Sequence, residues 1–299
     1  MARRRTTGDM CALGIMDSTG ATASYGGTLI TLSDKTSWKT EDVVVCGSRS
    51  MERITTGIST GFSASMKVRG TDGALIKSWI QKAIGTESDV PSFVAVAKVG
   101  PDQYHAWLNS YVDTLTVSQA SAGASVQVQV DAVSVWHTFK SLDHPFADPN
   151  GSTMDIKTAV TTPDAPPVHR TPSITLISSH GDIKTIRPKA WSLSISNALE
   201  SHPSGSSALC LEAGGGVTPT TCEIILEVTE GSTLDSINDN LRSIVHNGAD
   251  GNTLDVEIQG LIPTTITLEG CVLEAGGPDR TSEGPYDETL RIKATSMEW

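Results

Sequence analysis

The chain has 299 residues, a net charge of −12 and an apolar fraction of 38%, which favours two domains over one and is enough for real cores. Its 27 glycines and 14 prolines suit a turn-rich β protein and exclude a collagen-like or wholly disordered chain. No stretch reaches the roughly 20 apolar residues of a membrane span, so no membrane insertion is expected.

In chain order, the basic start Arg3-Arg4-Arg5 runs into Thr6-Thr7-Gly8-Asp9 instead of an apolar segment. It is therefore not a signal peptide, and the chain is expected to fold in a cytoplasm and stay soluble. Residues 1–40 form a turn-rich arm with one strand at Thr28-Leu29-Ile30-Thr31-Leu32. Val43-Val44-Val45-Cys46 reads as a buried strand, and residues 61–70 alternate apolar and polar with period two. After Gly70 the period changes. Ile76, Ile80, Ala83 and Ile84 share one helical face, Thr71 or Asp72 is placed to cap it, and Gly85 ends it. Three strands follow, at 92–98, about 106–117 and 124–133, with a small-residue turn at Ala120–Gly123.

The order then repeats. A strand from Thr221 ends at Gly231, Ser232 opens a helix with Leu234, Ile237, Leu241, Ile244 and Val245 on one face, and Gly248 ends it. Strands follow at 252–260, 265–273 and 288–294. Gly70 maps onto Gly231, and Ile76, Ile80 and Ile84 map onto Ile237, Leu241 and Val245, at an offset of 161; Gly100 maps onto Gly260 and Tyr111 onto Cys271 at 160. This divides the chain into the 1–40 arm, a first β domain at 41–136, a Pro/Gly-rich connector at 137–170 and a second β domain at 171–299. The fold class expected is mainly β, two tandem barrel or sandwich domains each with one short flanking α-helix. Such sheets have edges that invite pairing with another chain.

Little in the sequence points to chemistry. The histidines His105, His137, His144, His169, His180, His202 and His246 form no HExxH or HxH spacing; His137 with Asp143 and His144 is the nearest cluster and reads as a polar connector. Gly214-Gly215-Gly216 precedes a strand with no Lys-Ser/Thr after it, the wrong setting for a phosphate cradle. Cys11, Cys46, Cys210, Cys222 and Cys271 are too scattered for a disulfide framework or a zinc site and read as small buried hydrophobes. Trp38, Trp79, Trp107, Trp136, Trp191 and Trp299 read as core or interface anchors. No enzyme, catalytic residue, cofactor or metal site is expected. From Glu200 onward, 17 acidic residues face only Arg242, Arg280, Arg291 and Lys293, a surface that repels a nucleic-acid backbone yet suits a channel through which DNA slides.

The strand ending at glycine, the short amphipathic helix and the meander closing on an alternating strand, seen once from Gly61 and again from Thr221, resemble the tail tube fold of tailed bacteriophages and of bacterial contractile secretion machines. The resemblance implies a β-barrel-like sheet with a flanking helix and strands joined between neighbours. It implies homotrimeric, pseudo-hexameric rings stacked into a tube, with other tail proteins as partners and double-stranded DNA passing through the lumen without specific binding. The place implied is the virion tail, assembled in the host cytoplasm. A distal-tail, hub or head-decoration protein and a β-rich ligand-binding module are the alternatives. Whether Glu223 or Asp255 faces inward is left open.

Overall fold

The computed structural model describes residues 12–17, 23–44, 51–70, 73–84, 90–98, 103–141, 164–178, 183–203, 211–214, 220–229, 254–279 and 287–298. The fold is mainly β. Its first half is β1 (Ala12–Asp17), β2 (Ala23–Asp34), β3 (Ser37–Val44), β4 (Met51–Lys67), α1 (Ala74–Ile84), β5 (Phe93–Lys98), β6 (Gln103–Gln119) and β7 (Gln127–Ser141). Antiparallel pairing runs β1–β2, β2–β4, β4–β7, β7–β6, β6–β5 and β5–β1. The circuit closes on itself, a six-stranded barrel without an open seam, from which β3 and the start of β4 project as a hairpin.

The second half is β8 (Ser173–Ser178), β9 (Ile183–Ile186), β10 (Ala190–Ser196), β11 (Glu200–Pro203), β12 (Leu211–Gly214), β13 (Thr221–Thr229), β14 (Leu254–Gln259), β15 (Ile266–Asp279), β16 (Asp287–Ala294) and β17 (Ser296–Glu298). Its pairings repeat the first circuit: β8–β9, β10–β13, β13–β16, β16–β15, β15–β14 and β14–β8. What is one strand in β2 becomes β9 and β10 here, because Pro188 between them has no N–H for a ladder.

Registers agree to the residue. Leu13 faces Ala97 in one circuit and Ile174 faces Ile258 in the other (174 − 13 = 258 − 97 = 161). The bulge between Phe93 and Ala95 recurs between Leu254 and Val256 at that offset, and the one between Val112 and Thr114 recurs between Leu273 and Ala275. Asn109 (φ 47°) and Gly270 (φ 59°) hold the same left-handed position. One residue later, Ser110 Oγ donates to the Trp107 carbonyl at 3.1 Å and Cys271 Sγ to the Leu268 carbonyl at 3.3 Å. Ser110, not Tyr111, is therefore the counterpart of Cys271. The Gly100–Gly260 match suggested an offset of 160, but the shared left-handed residue fixes 161.

Alternation explains the cores. Phe62, Ala64, Met66 and Val68 turn inward from β4, as Cys222, Ile224, Leu226 and Val228 do from β13. Each such large apolar side chain gains about 1.5–3 kcal/mol on burial, and a one-residue slip would expose the whole set. On α1 the buried face is Ile76, Trp79, Ile80 and Ala83, the expected face with Trp79 added and Ile84 only half-buried. Trp79 packs edge-on against Phe93 at 5.8 Å and donates to the Gly26 carbonyl at 2.8 Å.

Several elements differ from expectation. The sequence placed one strand in the first forty residues; β1 is a second. β7 runs to Ser141, past the expected connector boundary at 137, because its end pairs with residues 103–108 of β6. Farther along, Pro167 bridges Arg69, so the end of the connector is tied to the first barrel. The second helix, expected from Ser232 to Gly248, lies outside the described residues.

Candidate assembly interface

The two circuits are joined by strand addition. β10 pairs on one side with β13 of its own circuit and on the other with the far half of β6, from Trp191 opposite Gln119 to Ser196 opposite Thr114. Leu193, Ile195, Leu115 and Val117 are buried along this joint. Gln119, 1% exposed, accepts from Trp191 Nε1 at 3.0 Å and donates to the Ala124 carbonyl at 2.8 Å. Thr116 and Ser194 hydroxyls meet at 3.1 Å. Asn197 then clasps the first barrel. Its Nδ2 donates to the carbonyls of Ala83, at the end of α1, and of Val112, at 2.7 and 2.8 Å, while its Oδ1 accepts from Thr220. A buried amide with both N–H donors and its oxygen engaged makes the joint specific as well as stable.

The counterpart of β10 is the far half of β2, and the counterpart of the far half of β6 is the far half of β15. Residues 29–34 of β2 pair with β4 on one side, and residues 272–279 of β15 pair with β16 on one side; among the described residues neither has a strand on the other. The two exposed large hydrophobics among the described residues are Ile30, 47% exposed on β2, and Val272, 59% exposed on β15. Ile30 occupies the position that Trp191, 3% exposed, fills in the sealed joint.

Beside residues 29–34 of β2, which have no second strand partner among the described residues, lies a cleft of about 280 Å³ lined by Leu29 to Leu32, Asp34, Lys98, His105 and Trp107. His105 Nδ1 and His137 Nε2 are 3.0 Å apart, so one ring donates and the other accepts. Their rings stack at 5.2 Å, and each also stacks on Trp107. His137 Nδ1 is 3.5 Å from Asp34 Oδ2. Burial pushes the Asp34 carboxyl up, but the Thr36 hydroxyl and N–H, the His137 charge and the Trp107 indole outweigh it and hold it below the usual range. Trp107 Nε1 is buried and attracts the Asp34 carboxylate from beyond strict hydrogen-bond geometry.

The structure pairs His137 with His105; Asp143 and His144 lie outside the described residues. Cys222 and Cys271 are buried thiols as expected, and burial pushes both up to about 12; the other three cysteines are outside the described residues. Trp79, Trp107 and Trp191 are buried. Glu223 is half-buried and paired with Arg291 Nε at 2.5 Å, and Asp255 accepts the Gly270 N–H at 3.3 Å. The joint itself was missed. Its signal was the polar Gln119 and Asn197 set among alternating apolar residues.

No protein-family model matches the chain and no curated protein matches it. Solved structures similar to part of it include the 6-fold symmetrised cryo-EM structure of the anti-feeding prophage baseplate, at 17% identity and TM-score 0.36, covering 46% of this chain and 96% of that one. The C6 tail of an empty gene transfer agent particle matches at 14% identity and TM-score 0.36, over 43% of this chain and 94% of that one. The virion of a native gene transfer agent particle matches at 14% and 0.34, over 42% and 92%.

Proposed function

We propose that this protein is a non-enzymatic structural subunit of a viral tail tube, in which each chain supplies two equivalent barrels and three chains close a ring of six. The observation that carries the reading is the internal β6–β10 joint beside its two open counterparts. A head-to-tail contact of this kind uses two different surfaces and closes into a ring or runs on as a helix. If the contact inside the chain recurs between chains, β15 of one molecule continues into β2 of the next, and Ile30 leaves water. The excess of acidic residues after Glu200 suits a lumen that carries DNA without holding it. Stacked rings make the channel, and other tail proteins terminate it.

Negative-stain microscopy with mass measurement of the purified chain tests this. Hollow threads or three-chain rings are expected. A stable monomer at high concentration, or a closed dimer using one surface twice, would remove the reading.

A further inference from the structure

We infer that the cleft along the open edge of β2 receives residues 275–279 of β15 from a second copy of this chain, and that the imidazole pair in its wall makes this junction come apart in acid. The inference rests on the tube reading and specifies its contact. Ser192 faces Ser118 in the internal joint, so the same operation sets Thr31 of one molecule opposite Asp279 of another. The cleft is open where the internal joint is filled, and exposed Ile30 lines it.

The groups that face the imidazoles decide the response. From β2 comes Asp34; from β5, Lys98; from β7, His137 itself. Lys35, next on β2, is engaged at 2.6 Å by Asp131 of β7. The 3.0 Å contact holds one hydrogen between its two nitrogens. A hydrogen on both would be repulsive, with Lys98 nearby and Asp34 the carboxylate that lines the cleft among the described residues of the free chain.

Burial first, and then the His137 charge, hold His105 below the ordinary 6.5, with Asp34 opposing. A docked strand buries the ring further, so the free chain takes up the proton more readily than the assembled one. Junction strength is therefore fully present above the lowered His105 value of the free chain and declines as pH falls below it, by up to about tenfold per pH unit for one proton. At the corresponding places the second barrel has Ile195, Ile266 and Leu268, all buried, so its own joint has nothing to titrate there.

The test is sedimentation velocity of the full chain at about pH 8 and about pH 5, for wild type, His105→Gln and His137→Gln, with circular dichroism confirming the fold. Wild type should show a loss of assembly in acid. Whatever their strength at the higher pH, the variants should show a flattened ratio between the two. In parallel, Thr31→Cys and Asp279→Cys chains, each also carrying Cys11→Ser, Cys46→Ser and Cys210→Ser, mixed at neutral pH should link through a short bismaleimide, while either alone should not. A variant as acid-sensitive as wild type, or rings that form without that cross-link, overturns the inference and leaves the tube reading standing. Failure to assemble at any pH removes both.

Discussion

The two barrels share a circuit, two bulges and a left-handed residue, yet they part company at one wall. Where the second places Ile195, Ile266 and Leu268 in its core, the first places Asp34, His105 and Trp107 around an open cleft. The β10 edge is covered by β6 within the chain, so hydrophobic sealing carries no risk there. If the β2 edge is finished by a second copy, as proposed above, it has to stay in water until then, and an exposed strand of Ile and Leu alone would pair indiscriminately. The charged and aromatic groups beside it would keep it from wrong partners.

The comparison is broken most sharply by one pair of substitutions. Trp191→Ala deletes a large side chain buried in the internal joint, which costs about 3–5 kcal/mol, and it also removes one of the two donors to Gln119 Oε1, leaving Thr171. Ile30→Asp, at the corresponding but exposed position, should change chain stability by no more than about 0.5 kcal/mol and abolish assembly. Urea unfolding measures the first and particle mass the second. If Ile30→Asp unfolds the chain as Trp191→Ala does, or if its tubes persist, the two positions are not equivalents.

Much of this was legible in the sequence, because alternation and helical period respond to local burial. The strands around Met66, Val128, Ile224 and Ile292 and the α1 face came directly from those periods, whereas β5 around Val94 came from a run of apolar residues. β1 did not, since Ala12 to Met16 is buried almost throughout and a continuously buried strand has no alternation to read. β9 was lost because Pro188 cuts it short, and the end of β7 because its partner, the start of β6, is distant in sequence. The histidine pair was invisible for the same reason: His105 and His137 meet only because β6 and β7 run antiparallel, Trp107 opposite His137.

A smaller effect tests whether the shared left-handed residue is backbone geometry or chance. Asn tolerates that region and Gly occupies it freely, whereas Ala pays about 1–2 kcal/mol there. Gly270→Ala should therefore lower the unfolding free energy by about that amount, and a Cβ there would also press on the Thr295 hydroxyl. Gly270→Asn should cost less than Gly270→Ala, and Asn109→Gly should be neutral or slightly stabilising. Equal costs for Ala and Asn at 270 would point to crowding by Thr295 alone and weaken the equivalence with Asn109.

The smallest effect concerns charge. Each barrel carries an ion pair on its outer face, Lys35 with Asp131 in the first and Arg291 with Glu223 in the second. Lys35 and Arg291 are about half exposed, 51% and 48%, so water screens both and each pair contributes less than about 1 kcal/mol. Burial pushes the Asp131 carboxyl up, but the Lys35 and Ser63 hydrogen bonds outweigh it and keep it below its usual 3.8. Its contribution is thus present above that value and lost as pH falls through the lowered one. Lys35→Met and Glu223→Gln should each shift the urea midpoint only slightly at neutral pH, and added salt should shrink the difference further. A large loss from either would mean that charge, rather than alternating apolar burial, keeps that barrel's wall in register, and the two barrels would then be alike in topology but not in what holds them.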